Sequence, residues 1–413
     1  MTKFFPALAH TDSMGYLDSD GKRKIMSVRR LLPNSFQTRA LMSLSFDESI
    51  HYLTTEDDGD KQSSILEKIP LLDLKEVFVD CGAFHYSKLN TPKFLNGGFV
   101  RSSSTLKEWE NRHLSRNSGA HFLVCSPDHI INSGLSEDEV FARRQFTRIS
   151  AKSFLELTKE LDNFTPIAVV HGRTLEERTI ETKFMISLGY QYIAFGGLVP
   201  LSRNMAEVLH QIAGIEPISG FQDMEIDPVS PLGLLKKNGI KCHIFGLNSP
   251  EWYRWWKRLG IDSFDGSKLS QEGAANGIIW TSISDYERPI NAKKLYRRLQ
   301  IKKIRTRDWF LKEGMGHLEV SEEGIIEPNN KGWDYLQSAR CTSPNCMHFD
   351  DVHNCDPRVT GSIEHNMGRM VLNSYVFEEI MLIIDELCND ADNCDNFEGK
   401  EWLKNWSKIE VGE

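Results

Sequence analysis

No stretch of the 413 residues is apolar for the length that a bilayer crossing needs, and nothing resembling a secretory leader follows Met1-Thr-Lys-Phe-Phe5. A cytoplasmic protein with no membrane attachment is therefore expected. No compositionally biased tract and no internal repeat is present, which leaves an ordinary globular chain rather than a fibrous or repeat array. No early strand leads into G-x-G-x-x-G, which counts against an open doubly wound sheet built on a dinucleotide. Positive charge is not in excess: 49 Lys and Arg against 58 Asp and Glu leave a net charge of −9. That balance excludes a globally electropositive nucleic-acid binder but not a local basic surface. Cysteine is scarce, with eight in the chain, and three of them fall within Cys341–Cys355. Such clustering points to a metal site rather than a disulfide framework.

The residues that are present, 40% hydrophobic and 26% charged, suffice for one large core with an appended subdomain. Short apolar strands recur along the chain: Ala40–Phe46, Glu76–Asp80, His121–Asp128, Ile167–Gly172, Gln191–Gly197, Lys241–Gly246 and Ile261–Gly266. Between them lie segments with apolar residues three and four apart, such as Val140–Leu161, Leu175–Leu188 and the Trp-bearing Ser249–Leu259. Strand and helix in alternation predict a parallel sheet, and this many units favour closure into a TIM (β/α)8 barrel with insertions. The first forty residues give little signal, although Gly21–Arg30, with five basic residues, fits a surface strand. Thr54–Gln62 and Lys88–Arg116 read as exposed, loop-like insertions. The texture changes beyond Trp280, towards a cysteine cluster, a helix-like Glu364–Leu387 and an acidic tail. The expected division is a barrel over 1–330 and a zinc-binding helical subdomain over 331–413.

Three aspartates, Asp80, Asp128 and Asp265, stand where apolar strands end. Each taken alone fits a cap or turn residue equally well. Together with His171 and the pair Gly196-Gly197 they would meet at the C-terminal mouth of a barrel, where catalytic groups gather. Carboxylates at one site can divide the work of nucleophile, general base and hydrogen-bond acceptor. Glycines at strand ends let a ligand approach the backbone. His171 reads either as a donor to a substrate carbonyl or as a satisfied strand-end histidine.

The runs Val79-Asp-Cys-Gly-Ala-Phe84, Val169-Val-His-Gly172, Phe195-Gly-Gly-Leu-Val-Pro200 and Gly260-Ile-Asp-Ser-Phe-Asp265 resemble, in order and spacing, the motifs of tRNA-guanine transglycosylases. The resemblance extends from about Glu76 to Leu387 and implies a TIM barrel that exchanges guanine for a 7-deazaguanine. It implies Asp265 as the nucleophile that forms a covalent glycosyl–enzyme intermediate, and Asp80 as the general base. It implies Asp128 as acceptor for the N1–H and exocyclic amine of the base, with Gly196, Gly197 and His171 lining the base and Phe84 or Phe195 stacking on it. The tRNA enzymes carry Gln where His171 stands. They also carry a basic run after the nucleophile, where this chain has Lys268-Leu-Ser-Gln-Glu-Gly-Ala-Ala275 with a single basic residue. Those departures are similar to the Dpd-type relatives that insert 7-cyano-7-deazaguanine into DNA, whose gene clusters imply an ATPase-like partner; a homodimer is also a family expectation. A base inside a duplex would first have to be flipped out.

Cys341-x4-Cys346-x8-Cys355-x9-His365 matches a closed tetrahedral Zn2+ site of structural type, with His348 and His353 as possible substitutes inside the cluster. Asn291–Arg307 holds eight basic residues and no acidic one. Lys293, Lys294, Arg297, Arg298, Lys302 and Lys303 are its leading candidates for phosphate contacts, against a solvated surface as the plainer reading. Cys81, Cys125 and Cys242 are expected in the core, and Trp252, Trp255 and Trp256 in helix packing or a dimer face. Besides base exchange on DNA, three readings stay open: the same exchange on tRNA, a barrel glycoside hydrolase using Asp80 and Asp265, and a non-catalytic nucleic-acid-binding subunit.

Overall fold

The computed structural model describes residues 2–7, 13–17, 23–27, 32–44, 74–94, 97–111, 119–215, 225–269, 272, 278–281, 302–305, 318–320 and 326–328, with helical positions between Met370 and Asp385. The chain divides into two compact units. The first comprises Met1–His10, Phe36–Asn248 and Trp255–Gly266; the second comprises Thr11–Ser35, Ser249–Arg254 and Ser267–Glu413.

In chain order the strands begin with β1 (Lys3–Pro6), β2 (Ser13–Leu17) and β3 (Arg23–Ser27), then β4 (Arg39–Ser43), β5 (Glu76–Asp80) and β6 (His121–Cys125). β7 (Phe164–Val170), β8 (Tyr192–Phe195), β9 (Lys241–Ile244) and β10 (Ser263–Gly266) follow. Eight of these form one sheet in the order β1-β10-β9-β8-β7-β6-β5-β4, and every neighbouring pair is parallel. A parallel bridge between Ala7 and Leu41 links the two outermost strands, so the sheet is a nearly closed barrel and not an open doubly wound one. The first strand, β1, comes from the stretch that carried little sequence signal. Four residues are too few to show a period, and Phe4 and Phe5 are both fully buried, one on each face.

Residues alternate across the sheet as strand geometry requires. Phe5, Phe78, Leu123, Cys125, Ile167, Val169, Tyr192 and Ala194 pack together in the barrel interior. Their neighbours Val77, Val79, Phe122 and Val124 pack on the other face with Trp109, Tyr86 and Phe154. The helix Glu137–Leu157 starts on a reciprocal cap, in which Ser136 and Glu139 each satisfy the other's backbone N–H. Its Arg148 makes a two-pronged pair with the buried Glu181 of the helix Leu175–Leu188, tying adjacent helices together.

The insertion expected to be loop-like over Lys88–Arg116 contains an eight-residue helix, Ser102–Trp109. Its apolar content is low, and the buried Trp109, against Phe122 and Phe164, anchors it. Thr54–Gln62 lies outside the described residues.

In the second unit, β2 and β3 form an antiparallel pair, which bears out a strand within the basic Gly21–Arg30 stretch. β11 (Ile278–Thr281) pairs with β12 (Lys302–Arg305), and β13 (Leu318–Val320) with β14 (Ile326–Pro328), both antiparallel. The described positions within Glu364–Leu387 are helical, with Met370, Phe377, Met381 and Asp385 buried at spacings of seven and four. Tyr253 donates to Asp385 at 2.8 Å and its ring meets Phe377 edge-on. Trp252, Trp255 and Trp256 are all buried, and Trp256 donates its indole N–H to the Leu247 carbonyl at 2.9 Å, so their role is packing. Among the described residues, no helix is long and apolar enough to cross a membrane.

Candidate active site

Parallel strands put all their C-terminal ends at one mouth, and that is where the chain's polar strand-end residues lie. Asp80 closes β5 and Asp265 sits in β10. Asp128 follows β6 after Ser126-Pro127, His171 follows β7, and Gly196 follows β8. Asp80 feels the other two carboxylates. Burial pushes the Asp80 carboxyl up to about 7, and the negative charges of Asp128 and Asp265 add to the effect. The Gly82 N–H and the Ser43 hydroxyl, at 3.2 Å, pull in the opposite direction without cancelling it. A carboxyl in that range can both give and take a proton near neutral pH.

Asp128 is held on both oxygens. Its Oδ1 accepts from the Cys81 thiol at 2.9 Å, and its Oδ2 meets His171 Nε2 at 2.5 Å. Tyr86 donates to the Asp128 carbonyl at 2.9 Å and lies 3.2 Å from the same thiol. Burial and the neighbouring carboxylate raise the Cys81 thiol and the Tyr86 phenol well above their ordinary values, so both keep the protons they donate. Each carboxylate oxygen has a second lone pair, so Asp128 retains acceptor capacity while its orientation is fixed. His171 Nδ1 is buried and lacks a hydrogen-bond partner among the described residues. It is one of the buried polar atoms near Asp128, with Ser126 Oγ and His129 Nδ1, that are left without a hydrogen-bond partner among the described residues.

The two glycines are required by His171. A Cβ on Gly196 would stand 2.4 Å from His171 Cε1. Gly197, at φ +72°, would bring a Cβ to 3.2 Å from the Ile131 carbonyl as well. The backbone of Gly196 is already engaged: its N–H donates to Val170 at 3.0 Å, and its carbonyl accepts from Arg178 at 3.0 Å. Arg178 is fully buried, and burial lowers its guanidinium to about 10. It stays charged at neutral pH, and it also donates to Gln211 at 3.0 Å. Gly197 is the member of the pair whose N–H makes no backbone hydrogen bond among the described residues. Of the two aromatics considered for stacking, Phe195 is fully buried in β8, whereas Phe84, just past Asp80, is 79% exposed.

Asp265 is buried, and its Oδ1 accepts from the Gly246 N–H at 3.0 Å and from His243 Nε2 at 3.1 Å. His243 continues through Nδ1 to Ser263 Oγ at 2.6 Å, and Ser263 to the Tyr192 hydroxyl at 2.5 Å. The His243 ring lies over Phe78, with centroids 4.0 Å apart. His243, Ser263, Tyr192, Tyr86 and Arg178 escaped the sequence reading, and Cys81 reads there only as a core thiol. For Ser263 a signal existed, since it stands two residues before Asp265 on an alternating strand. His243 and Cys81 carried none, because apolar strands surround them.

Cys341, Cys346, Cys355 and His365 lie outside the described residues, as do Lys293, Lys294, Arg297 and Arg298. Lys302 and Lys303 are on β12, paired with Thr281 and Trp280, so that end of the basic stretch is a strand. Among the described residues no group of three or more His, Cys, Asp or Glu could hold a metal ion. Cys81, Cys125 and Cys242 are buried free thiols, as expected.

No family model matches the chain. Over 211 residues, 49% of its length, it is 26% identical to a protein named DNA-guanine transglycosylase from Salmonella montevideo. The matched region is 43% of that protein, so the chain spans less than half the length of this curated relative. The similarity supports a transglycosylase relationship for the chain.

Proposed function

We propose that the chain is a guanine transglycosylase that exchanges a guanine in DNA for a 7-deazaguanine through a covalent aspartyl–sugar intermediate. The observation that carries this reading is the unequal treatment of three carboxylates at one barrel mouth. Asp265 has one oxygen tied by two N–H donors, Asp128 is locked by a thiol and an imidazole, and Asp80 is raised to about 7. Carboxylates whose environments differ in this way take different roles. In the first displacement a lone pair of Asp265 forms the bond to sugar C1′. The C1′–N9 pair leaves with guanine, and the proton of Asp80 passes to the departing base. In the second, the incoming base returns its N9 proton to Asp80 and its N9 lone pair attacks C1′. The C1′–O pair then returns to Asp265 as a carboxylate. Two inversions retain the configuration, and protons and charges balance over the cycle. Asp128 accepts from the base N1–H and amine, and exposed Phe84 stacks on the base.

DNA is favoured over tRNA by the single basic residue in Lys268–Ala275 and by the name of the similar protein. The basic stretch Lys293–Arg307 would bind phosphates, and Cys341, Cys346, Cys355 and His365 would hold a structural zinc that metal analysis should find at one per chain. An ATPase-like partner fits the need to open a duplex. The deciding experiment is exchange of radiolabelled guanine into duplex DNA and, in parallel, into unmodified tRNA. Label in DNA, lost in Asp265→Ala with fold intact, is the expected result. Label in tRNA alone overturns the substrate. Label in neither overturns base exchange by this chain alone.

A further inference from the structure

We propose that His243, locked by Ser263 and Tyr192, is the positioning residue that reserves one oxygen of Asp265 for bond formation. This rests on the reading of Asp265 as nucleophile. A carboxylate oxygen only accepts, so the 3.1 Å contact from His243 Nε2 to Asp265 Oδ1 requires the proton on Nε2. Burial lowers the His243 imidazole, against the pull of Asp265, so the ring carries one proton and Nδ1 must accept. Ser263 then donates to Nδ1 at 2.6 Å, and its oxygen receives the Tyr192 hydroxyl proton at 2.5 Å. Burial raises the Tyr192 phenol far above its ordinary value, which keeps it a donor. Every donor in the series therefore points toward Asp265, and each bond polarises the next.

The series runs down the barrel interior. Tyr192 lines a polar cavity at the opposite end of the strands, beside Glu76, His121, Lys241 and Asp262. His243 is fully buried and held face-on to Phe78, with Phe5 and Phe245 at its other sides, so it has one orientation. The Gly246 N–H aims at the same Oδ1 from the start of the next loop. Among the described residues Oδ2 accepts no hydrogen bond from the protein. The nucleophilic lone pair is then that of Oδ2. It forms the O–C1′ bond while the C1′–N9 pair departs with the base, and Oδ1 becomes the ester carbonyl, still held by its two donors. Without His243 the carboxylate can rotate, and the attacking oxygen loses its fixed line to C1′.

The test measures formation of the covalent adduct and the KM for base with the full chain, on the acceptor that wild type labels. His243→Phe keeps the aromatic packing and removes the donor. Its expected effect is a fall of about 100-fold in adduct formation, the scale of losing one aimed donor, with KM changed less than about threefold. His243→Gln, which has an amide N–H, should recover about tenfold of that loss. Ser263→Ala and Tyr192→Phe barely change shape and should lower the same step by about 3- to 10-fold, the scale of one hydrogen bond, even if His243→Phe does not fold. Adduct formation at the wild-type rate in folded His243→Phe, or in both relay variants, overturns the positioning role while leaving Asp265 as nucleophile. Exchange retained in Asp265→Ala overturns both.

Discussion

Replacing Asp80 by Asn should stabilise the protein, and by an amount that depends on pH in a predictable way. The folded Asp80 carboxyl holds its proton up to about 7, against an ordinary value of 3.8. Its folded-state affinity for the proton is the higher one, so the folded state is favoured while Asp80 is protonated. Stability contributed by that proton is lost as pH rises from 3.8 through about 7. Converted at about 1.4 kcal/mol per tenfold change, the full displacement corresponds to about 4 kcal/mol at pH above 7. The amide is nearly isosteric, its oxygen can still accept from the Gly82 N–H, and the Ser43 hydroxyl can reverse to accept from its nitrogen. Urea unfolding of wild type and Asp80→Asn at pH 5 and pH 8 checks the sign. The variant should be the more stable at both, with the gap widening by about 2–3 kcal/mol at the higher pH. Exchange activity should be lost in the same variant, a trade of stability for function. A gap that does not change with pH would mean that Asp80 ionises freely, and the three aspartates would not share one cleft.

Gly196→Ala drives a methyl group into the buried His171 ring at 2.4 Å. It should cost about 1–3 kcal/mol by overpacking and raise the KM for base, read by thermal unfolding and exchange kinetics. Cys81→Ala removes the thiol donor from Asp128 and should weaken base binding, whereas Cys81→Ser keeps a donor and should restore it. In the folded chain Cys81 should resist alkylation, since burial and Asp128 hold the thiol protonated; mass spectrometry with and without denaturant reads this. Tyr253→Phe strips the 2.8 Å hydrogen bond from buried Asp385 and should destabilise the second unit by about 1.5–3 kcal/mol, measured by denaturant unfolding.

Much of this protein is determined locally and is therefore legible in the sequence. The apolar strands β5 to β10 and the helices between them follow from side-chain period, and their alternation demands parallel pairing whatever the loops do. The strand-end placement of Asp80, Asp128, His171, Gly196 and Asp265 follows from the same pattern, because parallel strands share one C-terminal end. What the sequence could not decide is everything that depends on distance across the barrel. β1 is four residues with no period, and it becomes a barrel strand only because Phe5 faces Phe78 and Phe4 stacks on Phe264. Cys81 reads as a core thiol until Asp128, 47 residues away, is brought to 2.9 Å. His243 and Ser263, on neighbouring strands 20 residues apart, become one hydrogen-bonded unit only when β9 and β10 pair in their observed register. A one-residue slip between the two strands would turn one of the pair out of the barrel. Residue types and spacing determine which groups are available, but the closed sheet decides which of them lie within 3 Å of each other, and proton affinities and orientations depend on that separation.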